Sequence, residues 1–180
     1  MKDLVSIDFF IVPTVGFKVL FVLVVLSHHR RRLVHFNVTE NPTAEWTAQQ
    51  IVEAFPYDTA PRYLLRDRDK VYGDYFQNRV ENLGIKEVLI APRSPWQNPY
   101  AERVIGSIRR ECLDHIIVLN KIHLKKTLAS YLDYYHRWRT HLALDMDAPE
   151  HRSVQPAGLG KVVEFPEVGG LQRHYERRAA

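Results

Sequence analysis

The chain has 180 residues, a formal net charge of +4 and a pI near 9.2. That length suits one domain with a substantial core, and its ordinary share of apolar and charged residues excludes a disordered or fibrous chain. The single cysteine, Cys112, excludes an intrachain disulfide and a cysteine-rich zinc module. Mild basicity agrees with a polyanionic partner without establishing one. Residues 9–26 are strongly apolar, but Pro13, Gly16 and Lys18 divide them into pieces of strand length rather than a membrane span. No signal-peptide pattern opens the chain, so the expected compartment is the cytoplasm, with no membrane partner.

Residues 4–12 are apolar on both alternating faces except at Asp8, the pattern of a central strand buried on both sides. A lone carboxylate there is costly unless it is paired, bound to metal, or satisfied by backbone amides as an edge residue. Residues 13–16 read as a hairpin turn, 17–26 as a second central strand, and 33–38 as a third. Short connections make these three an antiparallel meander. The intervening Arg30, Arg31 and Arg32 read either as a solvated strand end or as phosphate contacts.

Asn41-Pro42 reads as a helix start, Ala44, Ala48, Ile51, Val52 and Phe55 give the helix its apolar face, and Pro56 stops it. Residues 62–66 form a short strand, reached by a crossover that favours a parallel partner in the meander. Asp67 follows at its C-terminal end, where open α/β sheets place ligands. Tyr72, Tyr75, Phe76, Val80 and Leu83 mark a further helix closed by Gly84, and residues 87–90 a brief strand.

A proline-punctuated loop then runs into an amphipathic helix, with Asn98 as its cap and Pro99 in the first position. Ala101, Val104, Ile105, Ile108 and Cys112 face the core, and Glu102 sits at the rim. Arg109 returns to the side of Glu102 two turns later. An acid and a cation on one face suggest a metal-and-phosphate site. Asn120 caps a last helix whose apolar face is Leu124, Leu128, Tyr131, Leu132 and Tyr135. Residues 144–180, rich in Pro, Gly and charge and without period, read as an irregular tail beside a core of residues 1–143. None of the nine histidines has zinc-finger spacing, so no zinc site is expected.

Three antiparallel strands, then helix, strand, helix, strand and two helices, with acids on the first strand, after the fourth and on the helix after the fifth, form a distinctive order. It resembles the ribonuclease-H-like catalytic core of DDE transposases and retroviral integrases, closest to the insertion-sequence transposases of bacteria. The resemblance rests on Ser6-Ile7-Asp8-Phe9-Phe10, on the run from Arg66 to Gly73, on the run from Ser94 to Arg103, and on Tyr134-Tyr135-His136-Arg137-Trp138-Arg139-Thr140-His141. It implies an α/β fold with a five-stranded mixed sheet, three strands antiparallel and two parallel, flanked by helices. It also implies a catalytic, metal-binding triad of Asp8, Asp67 and Glu102, two Mg2+ or Mn2+ ions, DNA cleavage that frees a 3′-OH, and strand transfer into target DNA.

Asn98, Arg103 and Arg109, with Lys125 and Lys126, are the candidate DNA contacts. Asp69 stands where many members have glycine and is read as a solvated loop acid; residues 94–97 read as a flexible flap. His141 is read as a packing or hydrogen-bonding residue rather than a catalytic one. The implied partners are the element ends and target DNA, a second copy of the chain, and a separate DNA-recognition subunit or missing N-terminal domain, since the first acid of the triad is the eighth residue. A truncated remnant that binds DNA or dimerises without catalysis is the alternative, and a structure-specific nuclease on the same fold is a third reading.

Overall fold

The computed structural model describes residues 3–57 and 59–179. Its main sheet has five strands in the order β3-β2-β1-β4-β5. β1 (Leu4–Pro13), β2 (Val19–Ser27) and β3 (Leu33–Thr39) form the antiparallel meander, while β4 (Tyr63–Arg66) joins β1 in parallel and β5 (Lys86–Leu89) joins β4 in parallel. This is the mixed ribonuclease-H-like sheet expected from the sequence. The β1–β2 turn lies between Pro13 and Val19, one to two residues later than read from the sequence, and its left-handed position is Phe17 (φ 60°).

Helices cover both faces of the sheet. On one side α1 (Ala44–Ala54) and α2 (Asp74–Asn82) bury Ala48, Ile51, Phe76 and Val80 against Val5, Ile7, Leu23 and Val25. On the other, α3 (Pro99–Glu111) and α4 (Lys121–Arg137) bury Val104, Ile108, Leu124, Leu128 and Tyr131 against Phe10, Val12, Val22 and Val24. Consecutive side chains of β1 and β2 therefore enter opposite cores, which is why both strands read as continuous apolar runs. The cap of α1 is Thr43, whose hydroxyl accepts the Trp46 N–H at 3.2 Å, rather than Asn41. Among the described residues no helix is long and apolar enough to cross a membrane.

The expected irregular tail is corrected by a second, two-stranded sheet: β6 (Lys161–Glu167) pairs antiparallel with β7 (Gln172–Arg178). Charged residues occupy both of its faces, so it has no period-two apolar signal. It is held by side chains instead. Val168, in its turn, is buried in the α3/α4 core, and His174 lies nearly parallel to Trp138 with ring centres 3.7 Å apart. Ahead of it, Arg30 binds the segment leading there through Asp147 (2.6 Å) and the carbonyls of Ala148 (2.7 Å) and Pro149 (2.9 Å). Arg30 and Arg31 both have positive φ, and this clasp offsets the strain that non-glycine residues carry there.

Arg139, from the run Tyr134 to His141, closes the C-terminal end of α3. Arg139 holds the Glu111 carboxylate with two hydrogen bonds (2.6 and 2.7 Å), Tyr131 adds a third (2.8 Å), and Gln172 of β7 donates to the Glu111 carbonyl (2.9 Å). Burial opposes the charge on Glu111, but the bonds from Arg139 and Tyr131 outweigh it and hold the carboxyl below its ordinary value. A depressed acid stabilises the fold above its unfolded pKa, and that contribution is lost as pH falls through the folded value. Glu111→Gln is accordingly expected to cost about 2 kcal/mol at neutral pH. In urea titrations its deficit relative to the wild type should shrink as pH falls below about 4.5; a deficit that stayed constant down to pH 2 would contradict the account.

Candidate active site

The parallel pairing of β1 with β4 runs Leu4–Tyr63, Val5–Leu64 and Ser6–Leu65. Two residues beyond the last pair, at the same level on each segment, come Asp8 and Asp67. Asp8 follows the parity of Phe10 and Val12 and so faces the α3 side of the sheet. Glu102 stands in the first turn of α3. Asp8, Asp67, Asp69, Asn98 and Glu102 all line one cleft of about 330 Å³, at the C-terminal ends of the parallel strands, with the chain from Ile90 to Ser94 as its far wall.

Each acid is held differently. One Asp8 oxygen accepts the Phe9 N–H at 2.8 Å. Burial, opposed by that bond and reinforced by the charges of Glu102 and Asp67, pushes its pKa up to about 7. Asp67 accepts the Asp69 N–H at 3.1 Å, and its carbonyl accepts from Arg66 at 2.9 Å. Arg66 is buried, pairs with Glu87 and lies over the Tyr72 ring. An arginine ending an apolar strand just before the acid was the signal for this support, and it carried no role in the sequence reading. Arg68 ties the same loop to the Ile90 carbonyl at 3.1 Å. Asp69 accepts the Val71 N–H at 3.0 Å, capping a short 3-10 turn, so it has a structural task of its own.

Asn98 does not cap α3 with its side chain. It is buried, donates instead to the Ile7 carbonyl at 3.4 Å, and its Oδ1 has no partner. The amide thus ties the start of α3 to β1 beside Asp8 and leaves an acceptor free in the cleft lining. Two hydrogen bonds close the loop before it: Gln97 accepts the Ala91 N–H at 2.7 Å, and its own N–H bonds the Ser94 carbonyl. Arg109 lies outside the cleft, donating to the Ile11 carbonyl at 3.1 Å over the Phe10 ring. Arg103 occupies the next flank of α3, and Lys125 and Lys126 are exposed on α4.

The donors suit a hard divalent cation: they are carboxylate oxygens, and among the described residues none of Asp8, Asp67 and Glu102 has an ion-pair partner. As they stand, no three His, Cys, Asp or Glu side chains among the described residues are grouped closely enough to hold an ion. The acids share a cleft without forming a ready cluster. Cys112, by contrast, is buried and its thiol is pushed up to about 11, so it stays protonated near neutral pH.

Residues 83–149 match the family described as the integrase core domain. No curated protein matches the sequence. Solved structures share the fold along most of the chain. A chain of the simian T-cell lymphotropic virus intasome aligns with a TM-score of 0.67 at 13% identity, covering 97% of this chain. The chain spans 66% of the length of that viral protein. The catalytic domain of Mos1 mariner transposase aligns at 0.61 and 15% identity, over 73% of this chain and 70% of its own. The HTLV-2 integrase catalytic core domain, solved with magnesium, aligns at 0.63 and 12% identity, over 82% of this chain and 93% of its own. The fold is therefore that of integrase and transposase catalytic cores.

The separate tasks of Asp67 and Asp69 can be checked. Asp69→Ala should lower stability by about 1 kcal/mol through loss of a cap. A much larger loss in denaturant titrations would show that Asp69 does more than cap the turn.

Proposed function

We propose that the chain is the catalytic core of a DNA transposase or integrase, a DDE-type enzyme that cuts and joins phosphodiester bonds. The observation that carries this reading is the convergence of Asp8, Asp67 and Glu102, from three separate elements, on one cleft where, among the described residues, none of the three has an ion-pair partner, in a fold shared with such cores. Those three residues would hold Mg2+ or Mn2+. When bound, the ions would supply Lewis-acid stabilisation of the attacking and leaving oxygens.

The chain's own residues then have defined tasks. Asn98 ties the start of α3 to β1 beside Asp8, and so helps to set the distance between Asp8 and Glu102 together with the packing of α3 on β1. Arg66 and Arg68 fix the loop that presents Asp67. In the first reaction a water oxygen bonds to phosphorus, the bond from phosphorus to the 3′-oxygen breaks, and that oxygen leaves as a hydroxyl. In the second, this 3′-OH bonds to a phosphorus of target DNA and displaces another 3′-oxygen. Neither reaction needs a covalent bond to the protein. The substrates of this reading are element ends and target DNA, bound by a homo-oligomer, with end recognition supplied by another domain or subunit.

A second reading, a non-catalytic DNA-binding or dimerising remnant, draws on the acids not standing at ligand spacing. One set of measurements separates the two. With Mn2+ and DNA substrates, nicking or strand transfer should fall about a thousandfold or more in Asp67→Asn and in Glu102→Gln. Activity that survived both changes would sink the triad, and salt-sensitive binding without any activity would favour the remnant. In thermal melts, Mn2+ at a hundredfold excess over its Kd should add about 2.7 kcal/mol to the wild type, and little to Asp8→Asn.

A further inference from the structure

Residues 100, 103, 107 and 110 form a stripe of α3 on a different flank from Glu102. Beside it lies a second cavity, of about 220 Å³, whose lining includes Arg31, Tyr100, Arg103, Arg110, Arg139 and His141 and contains no carboxylate. Arg31 reaches it from the β2–β3 connection, its guanidinium 4.2 Å from the centre of the Tyr100 ring. Arg139 is already matched by Glu111. Arg31, Arg103 and Arg110 have no ion-pair partner among the described residues. Gly106 gives Arg110 room to fold back along the helix, since a Cβ there would stand 3.0 Å from its Nη1.

A further donor is uncharged. Arg139 lies 3.3 Å from His141 Nδ1, and a guanidinium can only donate, so Nδ1 accepts and Nε2 carries the proton. That Nε2 is buried without a partner. Burial and the neighbouring Arg139 and Arg31 push the ring's pKa down to about 4, which keeps this neutral tautomer at physiological pH. Unpaired guanidinium groups and an orphan N–H around one carboxylate-free cavity call for an anion with several acceptor oxygens.

We infer that this cavity binds a phosphate group, and that its occupant is a backbone phosphate of the DNA strand engaged at the acid cleft, an assignment that rests on the proposed function. Glu102 and Arg103 are successive residues, so one helix presents the acid on one flank and the arginine cavity on the next. The bound phosphate is therefore one close to the bond to be cut. The contact reads no base. It fixes the register of the strand over the acids.

The test compares the whole chain with Arg103→Ala/Arg110→Ala, both surface positions on α3, and with Arg79→Ala/Lys86→Ala, which removes the same charge from the α2 and β5 side. Binding of a labelled DNA duplex is measured by anisotropy across a salt series. Loss of one phosphate contact should reduce the slope of log K against log salt by about 0.9 and weaken binding about eightfold at 0.1 M salt. The expected result is that change in the α3 variant and not in the control pair. Equal weakening in both variants, or none in either, overturns the proposal. Thermal melts in orthophosphate, at matched ionic strength, form the second arm. Stabilisation of the wild type but not the α3 variant, with an unchanged DNA slope, would replace the backbone occupant with a free phosphate. A wild type that bound no DNA at all would sink the functional reading, and the orthophosphate arm would still report on the cavity.

Discussion

A carboxylate held inside the central strand of an apolar sheet is the constraint on which the site depends. Asp8 is level with Asp67 because β1 and β4 pair in parallel up to Ser6 and Leu65. Burial alone would keep Asp8 protonated, and its neighbouring acids add to that pressure rather than relieve it. The nearby arginines do not neutralise the cluster. Arg66 is turned to Glu87 and the Asp67 carbonyl, Arg68 to the Ile90 carbonyl, and Arg109 to the Ile11 carbonyl. These three arginines are thus held by other partners, and Arg93, which also lines the cleft, forms no ion pair with the acids, an arrangement that favours a cation from solution.

α3 is where the constraints meet. One of its faces is core, one carries Glu102 beside Asp8, and one carries the arginine cavity. Its start is tied to β1 by Asn98, and its end is gripped by Arg139, Tyr131 and Gln172 through Glu111. The C-terminal hairpin holds Glu111 at the end of α3 through Gln172 and Trp138 at the end of α4 through His174, and so braces the helix that bears Glu102 at the end opposite its acid.

Most of the sheet was legible in the sequence because strands buried on both faces are continuous apolar runs, and a charge inside one stands out. Asp8 was visible for that reason, and Asp67 and Glu102 by their places at a strand end and a helix start. What could not be read were features decided by partners distant in the chain. Asn98 fits a cap by type, yet its amide is used by the Ile7 carbonyl ninety-one residues away. Arg109 shares a helical face with Glu102, but the nearby β1 carbonyl takes its guanidinium. The hairpin of β6 and β7 lacks alternation because stacking on Trp138 and insertion of Val168, rather than a buried sheet face, hold it in place.

The order in which these contacts become available during synthesis gives Asp8 a second consequence. The meander is complete by Thr39, so β1 and β2 can pair before β4 has been made. Until then one edge of β1, almost wholly apolar, is open to any other strand, including that of a neighbouring nascent chain. Asp8 is the sole charged residue in that edge. In water it is ionised and resists stacking against a copy of itself, so the acid that the finished fold gathers into its cleft also guards the unfinished one against aggregation.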